Sequence, residues 1–463
     1  RQDDFQMKTI KWVLSVVAGL IAAEPALLGS TANPPGVFVV NDYSSSGTHT
    51  DYDMARQAAD AYAAANLTTG SILVLKPTVN LTCDAVPIPS LGAGATTSII
   101  GYGSGSSSIV KETDCAASAA TFQHQDSPNG VLSRGWYQGF TVDASHVDLA
   151  ACEIYGMSQT TFIDVSCGNA MANADHELEF GNHDANLVGW MPEIYVYDLK
   201  TFDSVVGGKG AVLTPVWGGG TLASVTVANG GTNAYSSQYT RAQLIGPDLA
   251  TCSVVPQITP TLGPNSLVNG ATVTTAGSCQ STTHIFIQVQ DGTPATYGMK
   301  FSNMADSYLW NLKATGATTY GEGWLSGSNN NSIYNEQPSS NQMIQITDNA
   351  NGNRHITPVF VNPGEYAAAI YSQNGTFQNA TLKWDSSSYV GASGYFAGND
   401  PRVFQDWAIQ NSQCPNSSIT NFLPLTTRAG MLSNTNPVPP GVKPQNVQAC
   451  DGTNSIHWAV TVP

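Results

Sequence analysis

Residues 160–203 read "TTFIDVSCGNAMANADHELEFGNHDANLVGWMPEIYVYDLKTFD". The two ends, "FIDVS" (162–166) and "VYDLK" (196–200), are the same short strand pattern written twice, each with Asp at its third position. The pattern returns as "GFTVD" (139–143), "LWNLK" (309–313) and "IYNEQ" (333–337). Asp164, Asp198, Asn311 and Asn335 occupy matching places, and Phe140 to Phe162 and Asn311 to Asn335 each step by a little over twenty residues. Self-similarity at such a period marks a solenoid. A coil of three short strands and three turns fills that length at about 3.3 Å per strand residue. The recurring Asp/Asn positions are expected to be ladders of turn residues and not catalysts.

Composition agrees with a long, turn-rich all-β chain. Of 463 residues, 41% are apolar, only 11% are charged, and 44 are Gly. A helical bundle would carry Lys/Glu-rich exposed faces, whereas β-branched and small turn residues suit strands and bends. The net charge of −16 argues against a nucleic-acid surface and against electrostatic binding to anionic lipid.

Working outward, residues 1–35 hold an apolar segment, "WVLSVVAGLIAA" (12–23), behind Lys8 and Lys11. It reads as a secretion signal, an anchoring helix or, at the limit of its length, a membrane span. Residues 36–213 open with "VFVV", continue through the amphipathic Ala-rich "DYDMARQAADAYAAAN" (51–66), expected as a helix at the entry of the coils, and then "SILVLKP". Residues 214–294 are read as a small inserted β-domain, 295–400 as the second part of the coil array, and 401–463 as a β/irregular tail containing "NPVPPGVKP" and the strand-like "SIHWAVTVP".

The eight cysteines include no C-x-x-C, so a zinc or thioredoxin-like site is disfavoured. Disulfides and buried thiols both remain open; sequential pairing, including Cys252–Cys279 and Cys414–Cys450, is the simplest connectivity. Disulfides would place the chain in an oxidising compartment.

The entry "VFVVNDYSSSGTHTDYDMARQAADAYAAAN…GSILVLKP", with "IIGYGSGSSSIV" and "GFTVDASHVDLAACEIYGMSQTTFIDVSCGNA", resembles the pectate-lyase-like superfamily of right-handed parallel β-helix proteins. That group commonly has Gly-Asp-Gly before its helix; here the place reads "SGTHTDYD". The Asn-Thr-Asp, Gly-His-Gly and Arg-Ile-Lys blocks of polygalacturonases are absent. The remaining resemblance is to the phage tailspike-like branch. It implies a right-handed parallel β-helix with an N-terminal capping helix, a homotrimer at a virion or cell surface, and a bacterial surface polysaccharide or other acidic glycan as partner. No nucleic acid is implied, nor a membrane for the mature domain.

Two groups of residues are candidates for the chemistry. Glycoside hydrolysis needs two carboxyl groups flanking the scissile bond. The first group offers Glu177, Glu179 and Asp184, with His183, Trp190 and Tyr195 to bind sugar; Glu177 and Glu179 alternate by two and would share one face of an extended strand. The second offers Glu322 and Glu336, with Trp324 and Arg354 for binding, near Asp348 and His355. If both groups line one groove, a carboxylate from each could form the pair. A lyase would instead need a base and a group neutralising the uronate, which would bring in Ca²⁺; otherwise no cofactor is implied. The spacing of Asp175, His176, His183 and Asp184 is unremarkable for a metal. No G-x-S-x-G supports a serine nucleophile. A non-enzymatic receptor-binding spike on the same fold, or a secreted lyase-like enzyme, are the alternatives to a depolymerase.

Overall fold

A computed structural model describes residues 33–361 apart from 45–48, 85–94, 125–133, 172–173, 182–190, 203–208, 233–234, 236–239, 246–247, 249–250, 284, 292–294, 316, 318, 326 and 340–343; beyond 361 it describes the strand backbone of 366–370, 376–378, 381–383, 395–397, 404–405, 408–409, 447–450 and 455–458. Two long parallel sheets run side by side along the coils. The first has 14 strands, among them Ser71–Val74, Trp136–Asp143, Thr161–Gly168, Tyr195–Phe202, Tyr308–Trp310, Ser332–Tyr334 and Arg354–Ile356. The second has 8, including Phe122–His124, Cys152–Tyr155, His176–Gly181, Tyr297–Phe301, Tyr320–Trp324 and Ile344–Asp348. The chain alternates between the two, adding one coil at a time, which is a parallel β-helix.

The bend ladder is a line of left-handed residues. Gln138, Ile163, Tyr197, Trp310, Tyr334 and Ile356 are successive register partners. The residue after each has positive φ: Gly139 (69°), Asp164 (50°), Asp198 (57°), Asn311 (58°), Asn335 (54°) and Thr357 (55°). Asn and Asp tolerate this region better than other side chains because their polar groups bond locally. One alignment is corrected: Phe140 pairs with Val165, not Phe162, which pairs with Tyr137. Gly139, not an Asp, therefore holds the turn in that coil. Replacing Asn311 by Ala should lower stability by about 1 kcal/mol, while Gly should be near neutral; a shift of the urea midpoint in both variants alike would refute the ladder's role.

A second ladder runs inside. Ile194 N–H donates to Ser307 Oγ (3.0 Å), Ser307 N–H to Asn331 Oδ1 (3.1 Å), and Asn331 N–H to Asn353 Oδ1 (3.0 Å). These steps of 24 and 22 residues between the last three are the coil period. Apolar rows fill much of the interior: Phe180, Phe301 and Trp324 stack in line, with Phe301 and Trp324 centroids 3.9 Å apart.

Helix α1, Asp51–Ala65, packs Tyr52, Ala55 and Ala59 into the same core as the first coils. Thr50 and Asp53 form a capping box, and Asp53 also accepts from Thr82 Oγ1 (2.7 Å) and the Cys83 N–H (2.9 Å), tying the helix start to a strand. Between Phe202 and Tyr297 the chain leaves the coils. Lys209–Gly218 and Thr221–Thr232 pair antiparallel and join Thr240–Ile245 and Phe286–Asp291 in a four-stranded sheet. Its core of Leu213, Leu222, Leu244 and Ile287 is separate from that of the coils. Three disulfides pair sequentially: Cys83–Cys115, Cys152–Cys167 and Cys252–Cys279. The Cys414 and Cys450 side chains and residues 1–32 lie outside the described residues. Among the described residues no helix is long and apolar enough to cross a membrane.

Candidate functional site

Within the acidic stretch of 175–184, residues 176–181 form a strand. His176–Gly181 sits in the second sheet between Cys152–Tyr155 and Tyr297–Phe301. All six of its residues are buried, although Glu177 and Glu179 alternate with the apolar Leu178 and Phe180. One row on the outer face runs through the register partners Gln123, Glu153, Glu179, Lys300, Gly323 and Thr347. The inward neighbours Leu178, Phe180, Met299 and Phe301 are core.

His176 joins this row from the start of its strand. Its Nδ1 lies 3.2 Å from Asp175 Oδ2 and 3.5 Å from Glu179 Oε2, and its Nε2 lies 3.5 Å from Glu153 Oε1. Lys300 Nζ is 2.6 Å from Asp175 Oδ2 and 3.3 Å from Glu179 Oε1. Ser302 Oγ donates to Glu179 Oε1 (3.1 Å), and Gln123 Nε2 to Glu153 Oε2 (2.7 Å). The Tyr297 ring, stacked on Tyr320 at 4.8 Å, lies beneath the Lys300 ammonium. The cluster opens to solvent at Asp175, whose side chain is 56% exposed against 3% for Glu179.

Electrostatics lock this group together. Burial works against the charged imidazole, but bonding to Asp175 and Glu153 and the Glu179 charge outweigh it and raise His176 to about 9. Both ring nitrogens face carboxylates, Nδ1 within hydrogen-bond distance of Asp175 and Nε2 3.5 Å from Glu153, which favours the imidazolium. The His176 hydrogen bond, with Lys300 behind it, holds the Asp175 carboxyl well below the usual range. Burial opposes the Lys300 charge too, yet Asp175 and Glu179 raise its pKa overall.

The residues singled out from sequence that the structure describes fall in four places. Glu179 is central. Glu177 is diverted: its carboxylate is buried and accepts from the Ala170 N–H (2.8 Å), closing a turn, so it does not share the working face with Glu179. Glu322, Glu336 and Trp324 lie in the interior, each fully buried, and not in a groove. Strand parity puts them there: Glu322 is the register partner of Met299, and Trp324 that of Phe301. Tyr195 and Arg354 stand on the first sheet, in the row Tyr195, Tyr308, Ser332, Arg354. Tyr195 stacks on Tyr308 at 6.1 Å, beside a second stack of Tyr197, Trp310 and Tyr334. His183, Asp184 and Trp190 lie outside the described residues, in the segment that follows Gly181.

Glu153 and Lys300 were not among the candidates, and Asp175 and His176 were weighed only as metal ligands of unremarkable spacing. Lys300 and Asp175 are 125 residues apart in sequence. The signal that could have found them is the register itself: "CEIY", "HELEF" and "YGMKF" each put an ionisable residue on the same outer row.

Asp175, His176 and Glu179 offer ligand atoms within 4.8 Å of one another. They do not fit a calcium ion. The Lys300 ammonium already sits on the carboxylate oxygens a cation would take, and the imidazole brings further positive charge. The hard all-oxygen shell of 6–8 ligands that Ca²⁺ takes is not assembled among the described residues.

No protein-family model matches the chain, and no curated protein sequence does. Solved structures similar to it include ORF18 of Geobacillus virus E2 (9% identity, TM-score 0.37, covering 81% of this chain and 62% of that one). Another is PfbA, a surface adhesin of Streptococcus pneumoniae (10%, 0.38, 81% and 79%). A third is the enzymatically active domain of bacteriophage CBA120 tailspike protein 2 (7%, 0.38, 79% and 45%). The chain thus spans under two thirds of the viral ORF18 and under half of the tailspike chain. The assignment as a parallel β-helix rests on the strand register described above.

Proposed function

We propose that this protein binds and cleaves a polysaccharide outside the cell, by acid–base chemistry on the outer face of the second sheet. The observation that carries the reading is an imidazolium, His176, set between carboxylates of neighbouring coils with an ammonium beside it. Such a group combines a proton donor with bases and a cation in one place, the parts that glycosidic cleavage needs. The long flat face of stacked coils suits an extended polymer lying along the coil axis, and the three disulfides suit an extracellular setting.

The roles follow from the geometry. Glu153 and Glu179 are register partners on adjacent strands, which lie about 4.8 Å apart. The imidazole occupies the space between them, so His176 is the proton donor to the leaving oxygen and Glu179 the carboxylate facing the sugar carbon. Lys300 orients Glu179 and pairs with an acidic group on the glycan. The second reading is elimination from a uronate: there Lys300 neutralises the sugar carboxylate while a neighbouring base takes the proton. The tailspike-type form of the proposal adds a homotrimer, which sedimentation equilibrium would test.

The deciding experiment is incubation with a panel of bacterial capsules, O-antigens and acidic plant glycans. Hydrolysis raises reducing ends alone, whereas elimination also raises the ultraviolet absorbance of unsaturated uronates. If no member of the panel gives either signal while one is retained on immobilised protein, the enzyme reading fails and the adhesin reading stands.

A further inference from the structure

We propose that the interior of the β-helix holds a proton shared between Glu322 and Glu336, and that this proton makes the cohesion of coils 320–356 a function of pH. The proposal is independent of the glycan reading, because none of these groups reaches the surface.

The starting point is four breaks in otherwise apolar rows. Along the row Leu178, Met299, Glu322, Ile346 the third coil places a carboxylate. Along Phe180, Phe301, Trp324, Asp348 the last named coil places another. His355 follows Val196, Leu309 and Ile333 on the facing sheet. Glu336 follows the left-handed Asn335 just as Leu312 follows Asn311 and Leu199 follows Asp198. Each substitution taken alone would strand a charge in a dry core, but the four fall within consecutive coils and meet.

Their contacts show how they are reconciled. His355 Nδ1 lies 2.7 Å from Glu336 Oε1 and its Nε2 lies 3.1 Å from Asp348 Oδ2. A ring with carboxylates at both nitrogens donates from both and is an imidazolium. Asp348 Oδ1 also accepts from the Ala350 N–H (2.8 Å). Glu322 lies against Glu336 and the Trp324 indole. With both glutamates ionised, three buried carboxylate oxygens have no hydrogen-bond donor: Glu322 Oε1 and Oε2 and Glu336 Oε2. Three carboxylates would then face one imidazolium. A single proton on Glu322 resolves this. It donates to Glu336, and the chain continues through His355 to Asp348, with the Trp324 indole lying against Glu322. No other titratable side chain faces the compartment among the described residues; Met299, Phe301, Leu309, Leu312, Ile333 and Ile346 line the rest.

The direction of the pH effect is set by which state binds the proton. Burial, then the Glu336 charge, raise the Glu322 pKa well above its usual value. The unfolded chain therefore loses this proton near the ordinary carboxylate pKa of about 4.3 while the folded chain keeps it, and stability falls as pH rises from there. For His355, burial disfavours the charge but Glu336 and Asp348 raise it to about 10. Its contribution is fully present below the unfolded value of about 6.5 and is lost as pH rises through the folded one, in the same direction. The coil carrying Glu322 pairs through Gly323 with Lys300, so alkaline opening of coils 320–356 also removes the strand that backs the surface cluster.

The test is urea unfolding of the wild type and of E322Q between about pH 5 and pH 6, where the unfolded chain has lost the Glu322 proton while His355 is still mostly charged in both states. The wild-type unfolding constant should rise about tenfold per pH unit relative to that of E322Q, whose amide keeps the donor and acceptor without titrating. Parallel pH curves would overturn the proposal. Should E322Q fail to fold, infrared spectra of the wild type decide. A carboxylic-acid C=O band present at neutral pH in the folded state, and gone on unfolding, is the expected result; its absence would show that both glutamates are ionised.

Discussion

Replacing Asp148 by Ala is expected to lower the unfolding free energy by about 3–5 kcal/mol, the usual loss when one partner of a buried ion pair is removed. Lys111 and Asp148 are 1% and 0% exposed, with Lys111 Nζ 3.3 Å from Asp148 Oδ1. Asp148 is also the acceptor for the Ser118 N–H (2.8 Å) and Thr121 Oγ1 (2.7 Å), so the pair fastens the turn that leads into the first strand of the second sheet. Without it the ammonium keeps only the Cys83 carbonyl (3.0 Å) and Ser118 Oγ (3.2 Å), neither of which carries charge. The effect belongs to the orphaned charge and not to the pair's own net worth. The double variant Lys111→Met with Asp148→Asn should therefore recover more than half of the loss, because no charge remains and the amide can still accept. Urea titration of both variants checks this. A double variant as unstable as Asp148→Ala would mean that packing, and not the buried charge, dominates.

The second large effect concerns His176. On the proposed reading, His176→Gln removes the proton donor but keeps a polar group between Glu153 and Glu179, and glycan turnover should fall about 10²–10⁴-fold, the usual contribution of a positioned acid or base. Glu177→Gln, two residues from Glu179 but engaged with the Ala170 N–H, should leave turnover nearly unchanged. Wild-type turnover should decline as pH passes about 9, where His176 loses its proton. The same ionisation enters stability. A histidine raised above its unfolded value stabilises fully below about pH 6.5 and ceases to do so as pH rises through the folded value. A His176→Gln variant as active as the wild type on a glycan that the panel shows to be cleaved would move the chemistry elsewhere on the molecule.

The bend ladder was legible because its cause is local. A left-handed backbone position selects Asn, Asp or Gly by its own φ, so Asp164, Asp198, Asn311 and Asn335 mark the turns without reference to anything distant. The helix over 51–65 was legible for the same reason, through its apolar spacing. Gly139 escaped notice because glycine satisfies the same backbone requirement without resembling Asp, and the one wrong alignment, Phe140 on Phe162, followed from it.

The candidate site was legible only as a neighbourhood. Its acids were visible at 175–179, but the hydrogen bond from the Ala170 N–H draws the Glu177 carboxylate into a turn, and strand parity places Glu322 in the core. What the sequence determined by itself was the repeat, the left-handed bends and the poverty of charge, since each depends on residues within one coil. The tertiary structure alone decided which charges meet. Lys300 reaches Asp175 across an insertion 125 residues on, and Glu322, Glu336, Asp348 and His355 become one compartment only when their coils stack. Register between coils is set by the packing of whole rows, and no single coil carries that information.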